Sequence, residues 1–231
     1  MMRLAKYIIL ILLIFLLTGC TLLPEYAKPR MVESGNRPAY KNQGFTYRAL
    51  TVEDFQARSL PDNLVRHARE IAAHACCRIR TTKDARYKIT QGYLEQQIQY
   101  FGTIKHVAFE AVMIPECSWL NPNIAEEKLD YVLQHEQIHF ALMEIAARKL
   151  TREAKEEVRN FIAIQSSYEA ARGEIVSKIK DLVRSASEAI LKEHTEFDEE
   201  TSVFFDPEIQ QQWFERVEEQ LDGTSANNRD G

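Results

Sequence analysis

Leu129-Asp130-Tyr131-Val132-Leu133-Gln134-His135-Glu136-Gln137-Ile138-His139-Phe140-Ala141-Leu142-Met143-Glu144-Ile145-Ala146-Ala147-Arg148-Lys149-Leu150 contains neither Gly nor Pro. Val132, His135, His139, Leu142 and Ala146 fall at steps of three and four, the spacing of one helical stripe. The stretch therefore predicts a long helix. Residues four apart stack on one face, so the two imidazoles can turn toward a single metal ion. Glu136 is rotated from His135 by about 100° around the helix axis. That offset takes its carboxylate toward a water at an open coordination position rather than to the ion itself. His-Glu-x-x-His in this setting points to zinc hydrolase chemistry, most often peptide cleavage. Asn121-Pro122-Asn123 offers capping and first-turn residues, and Glu126 and Glu127 suit a helix N-terminus.

Downstream, the chain reads as helical nearly to its end. Thr151 is a candidate cap for a separate helix starting at Arg152. Ile164, Tyr168, Ala171, Ile175, Ile179, Val183, Ala186 and Ile190 keep helical steps, with a candidate interruption at Gly173. Asp206-Pro207-Glu208 has a cap followed by Pro at the first helical position, and Ile209, Trp213, Val217 and Leu221 give that helix an apolar face. Upstream, Phe45–Leu50 reads as a strand, Thr51–Phe55 as a helical turn and Leu64–Ala75 as a helix. Cys77–Thr81, Tyr87–Gln99 and His106–Ile114 read as strands of an antiparallel meander. The expected fold class is α+β, a small antiparallel sheet followed by a helical C-terminal half that carries the His-Glu-x-x-His helix.

The N-terminus carries an address. Arg3 and Lys6 precede an apolar run, Tyr7–Leu17, and then Leu17-Thr18-Gly19-Cys20. The run is shorter than the ~20 residues a bilayer span needs and has the layout of a secretory signal peptide. Its ending resembles the box of bacterial lipoproteins. That resemblance implies a signal peptide over 1–19 and a lipid on Cys20. With Thr21 next, it implies sorting to the outer membrane facing the periplasm. Cleavage before Cys20 would remove two basic residues and no acids, shifting the net charge from -5 to -7. An acidic chain with no basic cluster argues against nucleic acid as a partner. Membrane contact would come through lipid on Cys20.

Residues 20–44 read as a lipidated tether, 45–221 as a single metallohydrolase-like domain and 222–231 as a disordered tail. Cys76, Cys77 and Cys117 allow one disulfide, Cys117 with Cys76 or Cys77, which fits an oxidising compartment. The Pro115–Pro122 loop reads as a disulfide-pinned connection rather than a cover over the cleft.

A catalytic zinc takes three protein ligands and keeps one position open. His135 and His139 supply two. His67 and His74 lie seven apart and pair with nothing at ligand spacing, and Glu169 and Glu174 have charged neighbours. Leu191, His194, Asp198 and Thr201 form one stripe, where a carboxylate and an imidazole would be costly unless paired or bound to metal. Asp198 is the first candidate for third ligand and His194 the second. With Asp198 on the metal, His194 would stabilise an oxyanion or orient a ligand. Tyr131 and Tyr168 are candidate oxyanion donors. Glu136 would be the general base and acid.

Leu133-Gln134-His135-Glu136-Gln137-Ile138-His139-Phe140 resembles the His-Glu-Gln-x-His-Phe signature of predicted secreted bacterial zinc-dependent proteases. Phe197-Asp198-Glu199-Glu200-Thr201 is similar to that family's Tyr-Asp-x-x-Thr element. Tyr47–Phe55 is similar to its Trp-x-x-Leu-x-Trp-x-Asp-Phe opening. The likeness runs from Phe45 to Thr201 and implies a zinc peptidase. It departs where the family often continues x-His-Gly, since Ser202-Val203-Phe204 stands there. Zinc, a peptide or protein substrate and hydrolysis of a cell-wall amide all belong to this expectation. A non-catalytic envelope lipoprotein, binding metal or another protein, is the rival.

Overall fold

Absence of Gly and Pro lets the histidine-bearing segment run as one helix well beyond the quoted stretch. The computed structural model describes residues 23–24, 26–28, 44–202 and 205–226. Helix α1 spans Glu126–Arg159, α2 spans Tyr168–Thr201 and α3 spans Pro207–Ala226. Before and between them come β1 (Phe45–Thr46), β2 (Ala73–His74), β3 (Cys77–Thr81), β4 (Arg86–Leu94), β5 (Gln97–His106), β6 (Phe109–Met113), β7 (Trp119–Leu120) and β8 (Ala163–Gln165). The fold class is α+β, with small antiparallel sheets in the N-terminal half and three helices after them. The expected signal peptide and Cys20 lie outside the described residues, as do most of the tether and residues 227–231. Among the described residues no helix is long and apolar enough to cross a membrane.

The strands form three small sheets, ordered β1-β6-β3, β2-β7 and β4-β5-β8, with antiparallel pairing throughout. α1 is the central element. Ile138, Phe140, Ala141 and Leu142 are almost wholly buried, so the middle of α1 is covered all round rather than along one stripe. Phe140 packs edge-on against Phe45 and Tyr47 on the β1-β6-β3 side. The opposite flank of α1 joins the larger core with Ile175, Leu182 and Phe197 of α2 and Trp213, Val217 and Leu221 of α3. Burial of these side chains contributes about 1.5–3 kcal/mol each and fixes how the helices face one another.

Several local expectations give way to tertiary contacts. Thr151 does not start a new helix. It sits inside α1, its hydroxyl donating to Ala147 O (2.9 Å) and accepting from Phe109 N–H (2.8 Å), so it ties the helix to β6. Gly173 does not interrupt α2. One interior Gly costs about 1 kcal/mol, and buried Ala171 and Ile175 on either side offset it. Ile164 belongs to β8 rather than α2, which begins after the Ser167 cap, whose Oγ accepts from Ala170 N–H at 3.2 Å. α3 starts at Pro207 as the cap predicts, with Asp206 Oδ1 accepting from Glu208 and Ile209 N–H. It runs to Ala226, so the expected tail is helical from Asp222 to Ala226.

Leu64–Ala75 is not a helix. A 3-10 turn covers Val65–His67, and Ala73–His74 is extended against β7. Asn121 draws this segment out, donating from its side chain to Ala68 O and Ile71 O and from its backbone to Ala72 O. Asn121 is thus a clamp on the preceding segment, and Ala125 occupies the N-cap position of α1 without a capping side chain.

Tyr87–Gln99 is two strands rather than one. The chain reverses at Glu95 and Gln96, both at positive φ (50° and 64°), between Leu94 and Gln97, which pair directly. Two-residue turns of this kind favour Asn-Gly, so the sequence gives no sign of the reversal. Replacing Glu95-Gln96 by Asn-Gly relieves left-handed strain and should stabilise the chain by about 1 kcal/mol, read as a higher urea midpoint with unchanged slope. An unchanged or lower midpoint contradicts the assigned turn.

Candidate metal centre

Two antiparallel helices build the centre. His135 and His139, one turn apart, lie on the face of α1 that meets α2. From α2 come His194, Asp198 and Thr201, spaced four and three apart and all buried. This register brings Asp198 Oδ1 within 3.1 Å of His135 Nε2 and 2.9 Å of His139 Nε2. The two Nε2 atoms are 3.1 Å apart. His135, His139 and Asp198 thus form a buried group that could hold a metal ion. Bonds of ~2.0–2.1 Å to a tetrahedral ion would put donor atoms about 3.3 Å apart, so the triangle needs only slight expansion to admit one.

The back of each ring is also held. Thr201 Oγ1 donates to Phe197 O (2.7 Å), so it accepts from His135 Nδ1–H at 3.3 Å. The network therefore assigns a proton of His135 to Nδ1, with Nε2 facing Asp198. His139 Nδ1 lies 2.7 Å from His194 Nδ1, and the rings stack with centroids 4.9 Å apart. Burial, followed by the charge of His139, pushes the His194 pKa down to about 3, so His194 is neutral and its Nδ1 accepts from His139 Nδ1–H. His194 Nε2 is buried without a hydrogen-bond partner among the described residues. Phe197 stacks on His135 (4.5 Å) and meets His139 edge-on (5.0 Å), keeping the donors in an apolar wall.

Electrostatics already prepare the group for a cation. Burial opposes the Asp198 charge, yet the two histidines outweigh it and hold the carboxyl well below its usual range. Burial likewise opposes protonation of His139, but Asp198 raises its pKa overall. Without metal, a proton shared between His139 Nε2 and Asp198 Oδ1 compensates the buried carboxylate. A divalent ion would take the place of that proton.

Glu136 is buried on the neighbouring face of α1. Its Oε2 accepts from Ala75 N–H at 2.8 Å. His74 and Cys77 flank the same carboxylate, which acts on both electrostatically. Cys77 is the free thiol, Cys76 being joined to Cys117, so the disulfide alternative with Cys77 is not the one formed.

The structure brings together four of the anticipated side chains and separates others. His194 is a partner of His139 rather than a member of the donor triangle. Tyr131 does not face the donors, because its hydroxyl donates to Thr201 O at 2.9 Å and ties α1 to the end of α2. Tyr168 is exposed at the start of α2, thirty residues or about 45 Å along the helix from Asp198. Glu174, near that same end, accepts from Gln165. Thr201 is the contributor that residue type alone did not single out as a ring partner. It lay on the His194–Asp198 stripe, which was the available signal.

His194 makes acid stability a readout of this arrangement. An unfolded histidine gains its proton near pH 6.5, whereas His194 in the fold stays neutral down to about pH 3. The unfolded state therefore binds more protons between these values, and stability falls as pH falls through this window. Over pH 6–4 the His139 contribution is already complete, since a raised pKa stabilises below the unfolded value. Asp198, held below its usual range, begins to lose its contribution below about pH 5, in the same sense as His194. His74, lowered by burial, acts in the same sense as His194. Metal-free His194→Asn should lose about one proton's share of slope, roughly 1.4 kcal/mol per pH unit, in denaturant unfolding at pH 6, 5 and 4. Parallel curves for the variant and the parent chain would contradict a buried neutral imidazole.

Compared with family models, with curated proteins and with solved structures, the chain matches none.

Proposed function

We propose that this chain is a zinc-dependent hydrolase acting on peptide bonds, held in the bacterial envelope by lipid on Cys20. The observation that carries the reading is the convergence of His135 Nε2, His139 Nε2 and Asp198 Oδ1, with Glu136 next in sequence to the first ligand. Two neutral imidazoles and one carboxylate leave net positive charge on a divalent ion, and three protein ligands leave a coordination position open, as hydrolytic zinc requires. The likeness to secreted zinc-dependent proteases supports the same class. The apolar run Tyr7–Leu17 before Cys20 and the Cys76–Cys117 disulfide support a location outside the reducing cytoplasm.

Bound zinc supplies a Lewis acid and brings the pKa of a water molecule toward neutrality. The protein does the rest. Thr201 and His194 hold the two rings by their Nδ1–H groups, so that both Nε2 lone pairs would be free for a bound metal ion. Glu136 has one oxygen fixed by Ala75 N–H. Its other oxygen, without a hydrogen-bond partner among the described residues, accepts the proton of the attacking water and passes it to the leaving amine as the C–N bond breaks. Phe197 excludes water from the far side of the rings, which strengthens each of these interactions.

A soluble chain beginning after Cys20 should bind about one zinc, measured by elemental analysis after dialysis. Asp198→Ala should weaken binding by more than the ~10–100-fold that loss of an outer partner costs, and Thr201→Val by an amount within that range. Glu136→Gln should retain the metal and lose roughly 10²–10⁴-fold in peptide hydrolysis. Hydrolysis confined to peptidoglycan fragments would move the substrate to a cell-wall amide. Iron in place of zinc would move the chemistry elsewhere, since two histidines and a carboxylate also suit Fe(II). Metal binding with no hydrolysis by wild type or variant would identify a metal-binding lipoprotein instead.

A further inference from the structure

The segment Ala73–Cys77 crosses from one sheet to another. Ala73 and His74 pair with Leu120 and Trp119, whereas Cys77 pairs with Met113. The two ladders are out of register, so pairing breaks at Ala75 and Cys76. Cys76 is still tied to the partner segment three ways. Its N–H donates to Ser118 Oγ (3.0 Å), its C=O accepts from Ile114 N–H (3.0 Å), and its sulfur is bonded to Cys117. Ser118 is itself fully buried and donates to Ile114 O (2.8 Å). The Cys77 N–H turns back to Ala75 O (3.2 Å), and the Ala75 N–H, directed away from residues 113–120, reaches Glu136 Oε2 at 2.8 Å.

We propose that the Cys76–Cys117 disulfide is a positioning element for Glu136. It holds the ladder break in the shape that aims the Ala75 N–H at the carboxylate. An untied crossing would let that N–H turn to solvent. One oxygen of Glu136 is thereby fixed and the carboxylate plane is set, which leaves the second oxygen without a hydrogen-bond partner among the described residues. The disulfide joins neither α1 nor α2, so it acts on the proton-handling group and not on the three metal donors. The functional meaning of the contact rests on the hydrolase reading, but the contact itself can be tested without it.

The experiment compares three soluble chains, the parent, Cys76→Ser/Cys117→Ser and Glu136→Ala, by amide hydrogen exchange, with zinc affinity from competition against a chromogenic chelator. Both variants should lose about tenfold or more of the protection of the Ala75 amide while α1 and α2 keep theirs. In the serine pair, zinc affinity should stay within about threefold of the parent, because the removed groups share no partner with the donors. Glu136→Gln keeps an acceptor oxygen and should retain the protection. Unchanged Ala75 protection in the serine pair, or zinc binding lost together with it, overturns the proposal. If the serine pair does not fold, the parent chain reduced after folding, with the released thiols blocked, replaces it, and full Ala75 protection there overturns the proposal equally. A parent chain that binds no zinc would end the hydrolase reading and leave the Ala75 measurement valid.

Discussion

A single carboxylate oxygen, Asp198 Oδ1, contacts an imidazole nitrogen from each of two turns of α1. Everything else at this end of the molecule follows from keeping that charge buried. The penalty for stripping a carboxylate of water is several kcal/mol, and leaving it uncompensated would be strongly destabilising. Compensation must arrive from α1, as a proton on His139 or as a cation between the helices. The register of α2 against α1 is therefore set by charge as well as by apolar packing. Tyr131 reinforces it by gripping Thr201 O, and Trp213 of α3 does so by donating to Glu200 at 2.6 Å.

The division of labour between the helices is close to complete. α1 contributes two donors at a four-residue step, and α2 contributes the third donor and the group behind each ring, all within His194–Thr201. A shift of α2 by one residue would rotate that stripe by about 100° and remove all three together. Among the described residues, the strand region contributes at Glu136, through the backbone amide of Ala75 between β2 and β3. Donors thus sit on rigid helices, whereas the acid beside them is set by an irregular strand crossing. Under the proposed hydrolase reading, metal affinity and proton handling would therefore depend on different parts of the chain.

How much of this is legible in sequence depends on the kind of interaction. His135, Glu136 and His139 are legible because helical spacing maps directly to a shared face. Asp198 and His194 are legible more weakly, as polar residues on an apolar stripe. The inward face of α2 is a tertiary fact, so sequence could not say which of the two joins the triangle. Ala75 has no signature at all, since its contribution is an N–H that every residue but Pro possesses. Leu64–Ala75 misleads because a helical period survives in a segment whose backbone groups are claimed by Asn121 and by β7. Glu95-Gln96 misleads because neither residue announces a left-handed turn. Tyr168 misleads because a step of three or four identifies a face but not a position along a helix.

His194 is the least economical residue in the fold. Its Nδ1 accepts from His139, yet its Nε2 is buried without a partner among the described residues. An unsatisfied buried group of this kind costs about 1–3 kcal/mol, which a Leu at the same place on an apolar helix would avoid. Leu, however, would leave His139 Nδ1–H unpaired and free its ring to rotate, moving Nε2 away from Asp198. Gln or Asn could accept the same bond but would lose the stacked ring that holds the His139 plane. The imidazole is the side chain that both stacks and accepts. The cost of its idle nitrogen is then intelligible only if the orientation of His139 Nε2 matters more than the stability lost, which is the condition a metal ligand imposes and a core histidine does not.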